Sequence, residues 1–568
     1  MDTITSLWYQ NTNVFVETST SLLKQHTSLL APISTTITDK KHIVLSTLSV
    51  VFGSFILWRA TIRQKQQHGS KVKLVSGGLP FFGHVFESSH DSIAFVKRCK
   101  AERGPAFRMK LLGQELYVVT GQLIPEIFQN TELYDFHEPY SKLIPIHWMQ
   151  ELCYGHKFKG EHIGKNDKQP VIHTLQHNFD AHQIRGFSKR IQQGTRIAIE
   201  EHIDIKPGEK KTFPVSDVMP FMISQILSYC LAGHKAGTNP EFTNALVSYT
   251  RKVCQSGFIH ILFPSWISMP IIKRFYSVEQ ELDLLMDALV PELEQALDSK
   301  QKKYQSSLST SDITTDDKND NESEEADFLS MLLFGLPKAN GEMRTPKEAA
   351  FHYPGMALAG IISVAPFVLF ILHELAYLST SSTFIDDLRG ELGKLVEWTP
   401  ESIGQNKLLD SFMREILRFK VSAITSPHRT TADAILSNGE TIPSGSIVIT
   451  APFDAHTDPD NNTTTTLFHG DKTLPIDQFD PYRFIYISDE SKTSTTIGSD
   501  YLTFGVLGRA CPARFFAVNM LKYIVAELIM QFNITPVVMS SKRPKDSEYF
   551  GTLRLAPTAP VILEKRKN

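Results

Sequence analysis

The sequence predicts a mainly α domain with small β-sheets (α+β class), preceded by one N-terminal transmembrane helix. Apolar residues recur at helical spacing in segments such as 218–227 and 282–289, and a longer apolar segment at 347–379 predicts one extended helix. A hairpin signal at 438–449 supplies the β portion. An uncharged, mostly apolar run at 42–58 supplies the membrane helix.

The composition is that of an anchored globular protein. The 568 residues are 42% hydrophobic and carry a formal net charge of −3, which is not the broadly basic balance of a nucleic-acid-binding chain. The five cysteines have no paired spacing, so we expect no disulfide framework. A local basic patch for a redox partner remains compatible with this charge.

The apolar run at 42–58 reaches the short end of the membrane-spanning range, at about 1.5 Å per residue. More basic residues follow this run than precede it, which places the C-terminal bulk of the chain in the cytosol. The predicted organisation is a lumenal segment at 1–41, the anchor at 42–58, a basic hinge linker at 59–84 and one domain at 85–568. A cleaved signal peptide and a buried soluble helix are the alternatives for the anchor.

Two further segments shape the predicted domain. Asn438 and Gly439 form a tight turn, and a β-branched apolar run follows Gly445, so 438–449 is predicted to form a strand pair. Residues 301–327 are rich in Ser, Thr, Asp, Asn and Glu. They predict a low-complexity surface loop that interrupts the domain without dividing it.

The most informative segment is 504–517, where Cys511 lies on a tight turn that leads directly into a predicted helix. Backbone N–H groups of such a turn and the positive end of the helix stabilise a thiolate. Phe504 offers an aromatic wall that shields the sulfur from water. This pattern indicates a thiolate ligand of haem iron, with Arg509 paired to a haem propionate. An ordinary cysteine beside a helix cap is the alternative.

This segment resembles the signature of cytochrome P450 enzymes, Phe-x-x-Gly-x-[Arg/His]-x-Cys-x-Gly, at Phe504, Arg509 and Cys511. It departs from the signature at Leu507 and Ala513, where the family has glycine. The run that begins at Cys511 is most similar to fungal, membrane-bound members. The resemblance implies haem b, with Cys511 as the axial ligand of the iron.

Three more residues occur in the order found in that family. Glu415 and Arg418 lie three apart on an otherwise apolar predicted helix, so they share one face and are expected to pair in a partly buried site. Arg483, in a later element that resembles the family's Pro-x-Arg-Phe, is the third member of the network in the family. The implied role is structural support for the haem pocket.

The oxygen-activating helix of the family corresponds to the long apolar segment, where 359–363 aligns with the pattern [Ala/Gly]-Gly-x-[Asp/Glu]-Thr. Gly360 is expected to let the helix widen against haem and oxygen, and Ser363 to replace the threonine hydroxyl that relays protons. Ile362 stands where the family has an acid and cannot carry a proton. Water held by Ser363 is the expected substitute. A serine bonded back to its own helix carbonyls is the alternative.

The resemblance implies a haem-thiolate monooxygenase that hydroxylates a lipophilic substrate of the steroid, terpenoid or fatty acyl type. It also implies electrons from NADPH–cytochrome P450 reductase, cytochrome b5 as a further candidate partner, and a place in the endoplasmic reticulum membrane. No nucleic-acid partner is expected. The missing helix acid and threonine leave open a reductase-independent isomerase or dehydratase that acts on a lipid peroxide. A non-catalytic haem-binding membrane sensor is the third alternative.

Overall fold

A computed structural model of the chain describes residues 71–80, 82–157, 170–309, 328–335, 337–338, 341–459, 468–469, 472–473, 475–485, 492–539 and 543–567. These residues belong to one compact unit, Gly69–Asn568. The predicted lumenal segment (1–41) and anchor (42–58) lie outside the described residues, and so does the linker up to residue 70.

Helices make up most of the described chain, as the sequence predicts. They are α1 Val85–His90, α2 Ser92–Arg103, α3 Ile124–Gln129, α4 His137–Leu143, α5 Ile146–Tyr154, α6 Pro170–Asn178, α7 Arg185–His202, α8 Val215–Leu231, α9 His234–Gly237, α10 Pro240–Leu262, α11 Ser265–Phe275, α12 Glu279–Ser309, α13 Phe328–Phe334, α14 Pro346–Ser381, α15 Phe384–Leu392, α16 Pro400–Gln405, α17 Lys407–Phe419, α18 Pro452–Thr457 and α19 Arg514–Gln531.

The strands are short and form small sheets. They are β1 Ala106–Leu111, β2 Gln114–Val119, β3 Tyr134–Asp135, β4 Lys210–Phe213, β5 Thr425–Thr430, β6 Ala434–Ile435, β7 Thr441–Ile442, β8 Ile447–Thr450, β9 Phe468–His469, β10 Lys472–Thr473, β11 Phe532–Pro536, β12 Ser547–Tyr549, β13 Leu553–Leu555 and β14 Val561–Lys565. The largest sheet has the order β1-β2-β8-β5-β3, and a three-stranded sheet has the order β11-β14-β4. Only the β2–β8 pair of the larger sheet is parallel among the described strands.

The predicted hairpin at 438–449 divides into two features. The Asn438-Gly439 turn, with Gly439 at φ 83°, joins the short antiparallel strands β6 and β7. The apolar run after Gly445 forms β8, which pairs with β2 on one side and β5 on the other. The second half of the segment therefore belongs to the main sheet.

Helix α14 is the central helix of the domain and packs against α8, α10 and α12. Its first turn is closed by a capping box: Thr345 Oγ1 accepts from the Glu348 N–H, and Glu348 Oε2 accepts from the Thr345 N–H over 2.8 Å. The helix is continuous through Pro354 and Pro366. Among the described residues it is the one helix long and apolar enough to cross a membrane, but its apolar stretch is mostly buried in the domain. Its length therefore reflects a place in the core.

The segment predicted as a low-complexity loop begins later than the sequence indicated. Helix α12 extends to Ser309, so residues 301–309 are helical and only 310–327 lie outside the described residues. Gln, Lys and Leu in this stretch are good helix formers, which lets the preceding helix continue. The expectation of a loop from residue 301 was wrong for that first part.

Candidate active site

Cys511 lies at the end of a closed turn. Its backbone N–H donates to the carbonyl of Phe504 over 2.7 Å, and a 3-10 turn at Leu507–Arg509 fills the interval. Gly505 has φ +70°, and a Cβ at this position would lie 2.9 Å from the Arg509 carbonyl oxygen. The turn therefore needs glycine there. Helix α19 begins at Arg514, directly after the turn.

Leu507 occupies a backbone conformation that side chains rarely adopt. Its φ is +56°, in the left-handed region, and its side chain is 48% exposed. This conformation costs a residue with a Cβ about 1 kcal/mol. Strain is therefore stored in the turn that presents Cys511.

The Cys511 sulfur lies beside the N-terminus of α19. Burial raises the pKa of the thiol, while a hydrogen bond from the Ala513 backbone and the charge of Arg514 oppose that rise. Arg514 also donates to the Cys511 carbonyl over 3.1 Å. The other four cysteines are Cys99, Cys153, Cys230 and Cys254, and each lies inside a helix. Cys511 alone is placed where backbone donors and a helix dipole can stabilise a thiolate.

The structure brings Glu415, Arg418 and Arg483 together in the core. Arg418 donates through Nε to Glu415 Oε2 over 2.7 Å and through Nη2 to Oε1 over 2.9 Å. Arg483 Nε donates to Glu415 Oε1 over 3.1 Å. All three side chains are at most 2% exposed. This network joins α17 to the segment that contains Arg483.

His456 connects this network to the Cys511 turn. The Leu502 N–H donates to His456 Nε2 over 2.6 Å, so the ring proton is on Nδ1, which donates to the Arg418 carbonyl over 2.8 Å. Burial lowers the pKa of His456 to about 3, so the ring is neutral. Leu502 lies two residues before Phe504, where the turn begins. The buried network therefore fixes the start of the turn.

Helix α14 is mostly buried, but one of its faces is open. Ala359 and Ser363, one turn apart, are exposed, whereas Leu358, Ile361 and Val364 are buried. The Ser363 hydroxyl has no hydrogen-bond partner among the described residues, in contrast to Ser379, which bonds back to its own helix. Such an open face inside a core indicates a cavity wall.

Gly360 serves the packing of two helices. A Cβ at this position would lie 2.7 Å from Cδ1 of Leu227, which belongs to α8. The missing side chain therefore lets α8 approach α14 closely, just beside the open face. The expected widening of the helix at Gly360 stays a prediction.

His428 is a site residue that sequence reasoning missed. It is 1% exposed and lies between the rings of Phe128 and Phe136. Its Nδ1 contacts the Ser426 carbonyl at 2.7 Å, and its buried Nε2 has no partner among the described residues. Burial, assisted by the charge of Arg509, lowers the pKa of His428 to about 4.

Arg509 lies close enough to His428 for its charge to act on the ring. Its Nη1 is 3.2 Å from Nε2 of His137 at the start of α4. Because Nδ1 of His428 faces the Ser426 carbonyl and carries the ring proton, Nε2 of the neutral ring is an acceptor. A carboxylate bound beside Nε2 would favour the protonated ring, whose Nε2–H then donates to it. The Pro-His-Arg sequence in β5 was the available signal for His428, but its distance from Cys511 along the chain concealed the link.

These features together fit one kind of ligand. Cys511 supplies a single sulfur ligand for a metal, Arg509 supplies hydrogen-bond donors for a carboxylate, and His428 supplies one when its ring is protonated. Helix α14 supplies an open, mostly apolar face. An iron porphyrin with two propionates has matching groups. The residues present therefore fit a haem.

The comparisons with known proteins agree with this chemistry. The family model described as cytochrome P450 matches residues 75–562. The chain belongs to the cytochrome P450 family. Haem ligated by a cysteine is the family's cofactor, and Cys511 is the cysteine that stands at the signature position.

Curated relatives of this cytochrome P450 are fungal enzymes. Cytochrome P450 monooxygenase 103 of Postia placenta is 24% identical over 65% of this chain and 70% of its own length. Cytochrome P450 monooxygenase ascG of Acremonium egyptiacum is 26% identical over 66% and 72%, respectively. These relatives and the family place the chain among the oxidoreductases that incorporate oxygen.

A solved structure supports the fold of this cytochrome P450. The structure titled retinoic acid bound cyanobacterial CYP120A1 has a TM-score of 0.60 and 18% sequence identity, and it covers 88% of this chain and 100% of its own. The predicted helix-rich haem-thiolate fold with small sheets is confirmed.

Proposed function

We propose that the protein hydroxylates an unactivated C–H bond of a lipophilic substrate of the steroid, terpenoid or fatty acyl type. Oxygen comes from O2, and electrons come from NADPH through NADPH–cytochrome P450 reductase, with cytochrome b5 as a further candidate donor. One observation carries the proposal: among the cysteines, only Cys511 has its sulfur at a helix N-terminus, in the segment that carries the family signature. The monooxygenase names of the curated relatives support the reaction class.

The proposed roles follow from the placement of each residue. Bound haem b supplies the iron that activates oxygen. Cys511 would hold that iron as a thiolate, a ligand that favours O–O cleavage. Arg509 and His428 would hold the propionates: Arg509 donates from its guanidinium, and His428 donates from Nε2 once the adjacent carboxylate keeps its ring protonated. Phe504 shields the sulfur from water.

Ser363 is proposed to hold a water molecule at the open face of α14 and to pass protons from it. Its hydroxyl is exposed and has no protein partner among the described residues, so it is available to water. The neighbouring Ile362 has no group that carries a proton. The hydroxyl of Ser363 is therefore the proton-handling group that this helix segment offers.

Helix α11 supports the proposal of membrane attachment. Its Trp266 and Phe275 are 71% and 67% exposed, and the basic Lys273 and Arg274 precede Phe275. Tryptophan and basic side chains beside exposed apolar groups suit a membrane interface. Together with the predicted anchor at 42–58, this supports a single-pass protein of the endoplasmic reticulum with its catalytic domain in the cytosol.

The test is expression in membranes with a eukaryotic cytochrome P450 reductase. NADPH consumption and hydroxylated product are measured against a panel of steroids, terpenoids and fatty acids. We expect product that depends on both NADPH and reductase. An intact spectrum of the reduced carbon monoxide complex with no reductase-dependent product would contradict the proposal.

Ile362 favours a second candidate function. Without an acid on the helix, the same site suits a reductase-independent isomerase or dehydratase that acts on a lipid peroxide. Consumption of a fatty acid hydroperoxide without NADPH would identify it. A non-catalytic haem sensor would instead bind carbon monoxide and show no turnover with either donor.

A further inference from the structure

Two successive carbonyl groups at the C-terminal end of helix α17 are bound by side chains from distant segments. Thr503 Oγ1 donates to the Leu417 carbonyl over 2.7 Å. His456 Nδ1 donates to the Arg418 carbonyl over 2.8 Å. The last carbonyls of an α-helix have no partner within the helix, so they need donors from elsewhere. Here both donors lead to the segment that enters the Cys511 turn.

The two donors act on adjacent residues of that segment. Thr503 belongs to the segment itself, and His456 accepts the Leu502 N–H at Nε2 over 2.6 Å. The imidazole therefore bridges α17 and the backbone of Leu502, while the next residue reaches α17 directly. One hydrogen bond would leave the segment free to rotate, whereas two at adjacent residues fix both its position and its direction.

The attached backbone continues directly into the hydrogen bond that closes the Cys511 turn. Phe504 follows Thr503, and the Phe504 carbonyl accepts the Cys511 N–H over 2.7 Å. The Leu502 carbonyl accepts the Gly505 N–H over 2.9 Å, which keeps the entry to the turn compact. The path from α17 to Cys511 therefore passes through the Thr503 hydroxyl, the Phe504 carbonyl and no further residue.

Tyr501 holds the His456 ring in place. The two rings are stacked with centroids 5.8 Å apart and planes at 21°. The Tyr501 hydroxyl donates to the Ser494 carbonyl over 3.0 Å, and the guanidinium carbon of Arg414 lies 4.1 Å from the centre of the Tyr501 ring. Both stacked residues are buried. The imidazole therefore cannot turn away from Leu502 without disturbing this packing.

The strained residue of the turn requires a firm attachment on both sides. Leu507 has φ +56°, and a strained backbone persists only where its surroundings fix it. Helix α19, which begins at Arg514, fixes the turn on its C-terminal side. Leu502 and Thr503 fix the turn on its N-terminal side. Without the Thr503 hydroxyl, the strain at Leu507 favours opening of the turn.

We propose that Thr503 is a positioning residue for the Cys511 thiolate: its hydroxyl, together with His456, attaches the Cys511 turn to the end of α17 and so holds the sulfur at the iron. The proposal rests on the haem-thiolate function proposed above. When the turn opens, the Cys511 N–H leaves the Phe504 carbonyl and the sulfur moves with it. The bond between iron and sulfur then breaks, and the sulfur takes up a proton from water to become a neutral thiol.

The test measures how fast the haem-bound protein loses its thiolate ligand, without enzymatic turnover. The reduced carbon monoxide complex is held at fixed temperature and pH, and the decay of the absorbance band that marks the thiolate is followed. The variants are Thr503→Val, which keeps the shape of the side chain without its donor, and Thr503→Ser, which keeps the donor. Thr450→Val is the matched control, because the Thr450 hydroxyl of β8 also donates to a carbonyl of another element, that of Thr425 in β5, over 3.0 Å.

Thr503→Val is expected to lose the thiolate band about fivefold faster than wild type, because the loss of one hydrogen bond raises the open fraction of the turn by that factor. Hydrogen exchange of the peptide 501–511, measured by mass spectrometry, should be faster by about the same factor. Thr503→Ser should decay within about twofold of the wild-type rate. Thr450→Val, which removes a hydrogen bond outside the turn, should keep the wild-type rate.

The double variant Thr503→Val/Leu507→Gly tests the part that strain has in the opening. Glycine adopts the backbone conformation of residue 507 without strain. In the Leu507→Gly protein, Thr503→Val should therefore accelerate the loss of the thiolate about twofold, in place of fivefold. An undiminished effect would overturn the assignment of the opening to the strain at Leu507.

A decay rate in Thr503→Val equal to that of wild type, with unchanged hydrogen exchange in the turn, would overturn the positioning role. Equal acceleration in Thr450→Val would also overturn it, since a general loss of stability would then be responsible. Acceleration in Thr503→Ser as large as in Thr503→Val would show that the hydroxyl is not the cause. Absence of the thiolate band in the wild-type protein would contradict the proposed function instead.

Discussion

Arg483 Nε lies 3.1 Å from Glu415 Oε1, although the two residues belong to separate segments of the chain. Glu415 also accepts two hydrogen bonds from Arg418 and one from the Asp480 N–H over 2.9 Å. One buried carboxylate therefore compensates two buried guanidinium groups. Such a site is sensitive to the loss of the shared partner.

Glu415→Gln keeps the shape of the side chain but removes its charge. It should lower the free energy of unfolding by about 3–5 kcal/mol, because two buried cations lose their counter-charge. Urea unfolding measures this loss. Glu102→Gln is the matched control on an exposed pair with Arg98 and should cost less than about 1 kcal/mol. Equal effects of the two changes would contradict a central role for Glu415.

Cys511→Ala should completely abolish the absorbance band of the reduced carbon monoxide complex that marks a thiolate ligand, because it removes the sulfur proposed to bind the iron. No other cysteine has a sulfur beside a helix N-terminus. Cys254→Ala is the control and should retain the spectrum. A thiolate spectrum that survives Cys511→Ala would remove the basis of the proposed function.

His428→Phe should weaken haem retention, because the change removes the imidazole Nε2 that is left without a protein partner. The loss of one hydrogen bond to a charged group corresponds to about 2 kcal/mol, or roughly 30-fold in haem dissociation rate. Transfer of haem to apomyoglobin measures that rate without enzymatic turnover. His373→Phe is the control, since this histidine is also buried with an unpartnered Nε2. Equal haem loss in both variants would contradict a propionate contact.

Leu507→Gly should stabilise the protein by about 1 kcal/mol, because glycine adopts a φ of +56° without a Cβ penalty. The side chain is half exposed, so little burial is lost. Thermal unfolding of the haem-bound protein checks the gain. Leu507→Ala retains the strain and should show no stabilisation. A lower melting temperature for the glycine variant would mean that the Leu507 side chain contributes more than the strain costs.

Acidification should destabilise the protein through His373. Burial lowers the pKa of His373 to about 4, against about 6.5 for an unfolded histidine. The unfolded chain therefore binds the proton first, and stability falls as the pH drops from about 6.5 to about 4, by on the order of 3 kcal/mol. His373→Phe should show a shallower fall in that window, measured by urea unfolding across pH. An identical slope in both proteins would contradict this assignment.

Ser363→Ala should lower the yield of product per NADPH consumed, because the helix loses its exposed hydroxyl. Ser363→Thr keeps a hydroxyl at this position and should retain the wild-type yield of product per NADPH, which is the coupling. Ile362→Asp should raise this coupling, because it adds a proton-carrying group beside the site. Hydrogen peroxide release and product are measured together. Unchanged coupling in both Ser363→Ala and Ile362→Asp would show that protons reach the site by another route.

Local secondary structure was predictable from the sequence. The helix around Glu415 and Arg418, the long helix α14 and the turn before α19 depend on spacing within a few residues, and each was found where expected. The length of helix α12 was underestimated, because the composition of residues 301–309 indicated a loop. Good helix formers in this stretch instead extend the helix to Ser309. The residues of the predicted membrane anchor lie outside the described part of the chain.

The sequence by itself predicted Cys511 as the sulfur ligand and identified the family, which the family model confirms, because both depend on residue types in one short segment. Only the tertiary structure decided that His428 lies beside Arg509, that Gly360 packs against Leu227 and that Thr503 donates to the Leu417 carbonyl. Contacts between distant segments depend on how helices and strands pack, and spacing along the chain does not encode that geometry. A local pattern therefore fixes what a residue can do, and packing decides which partner it acts with.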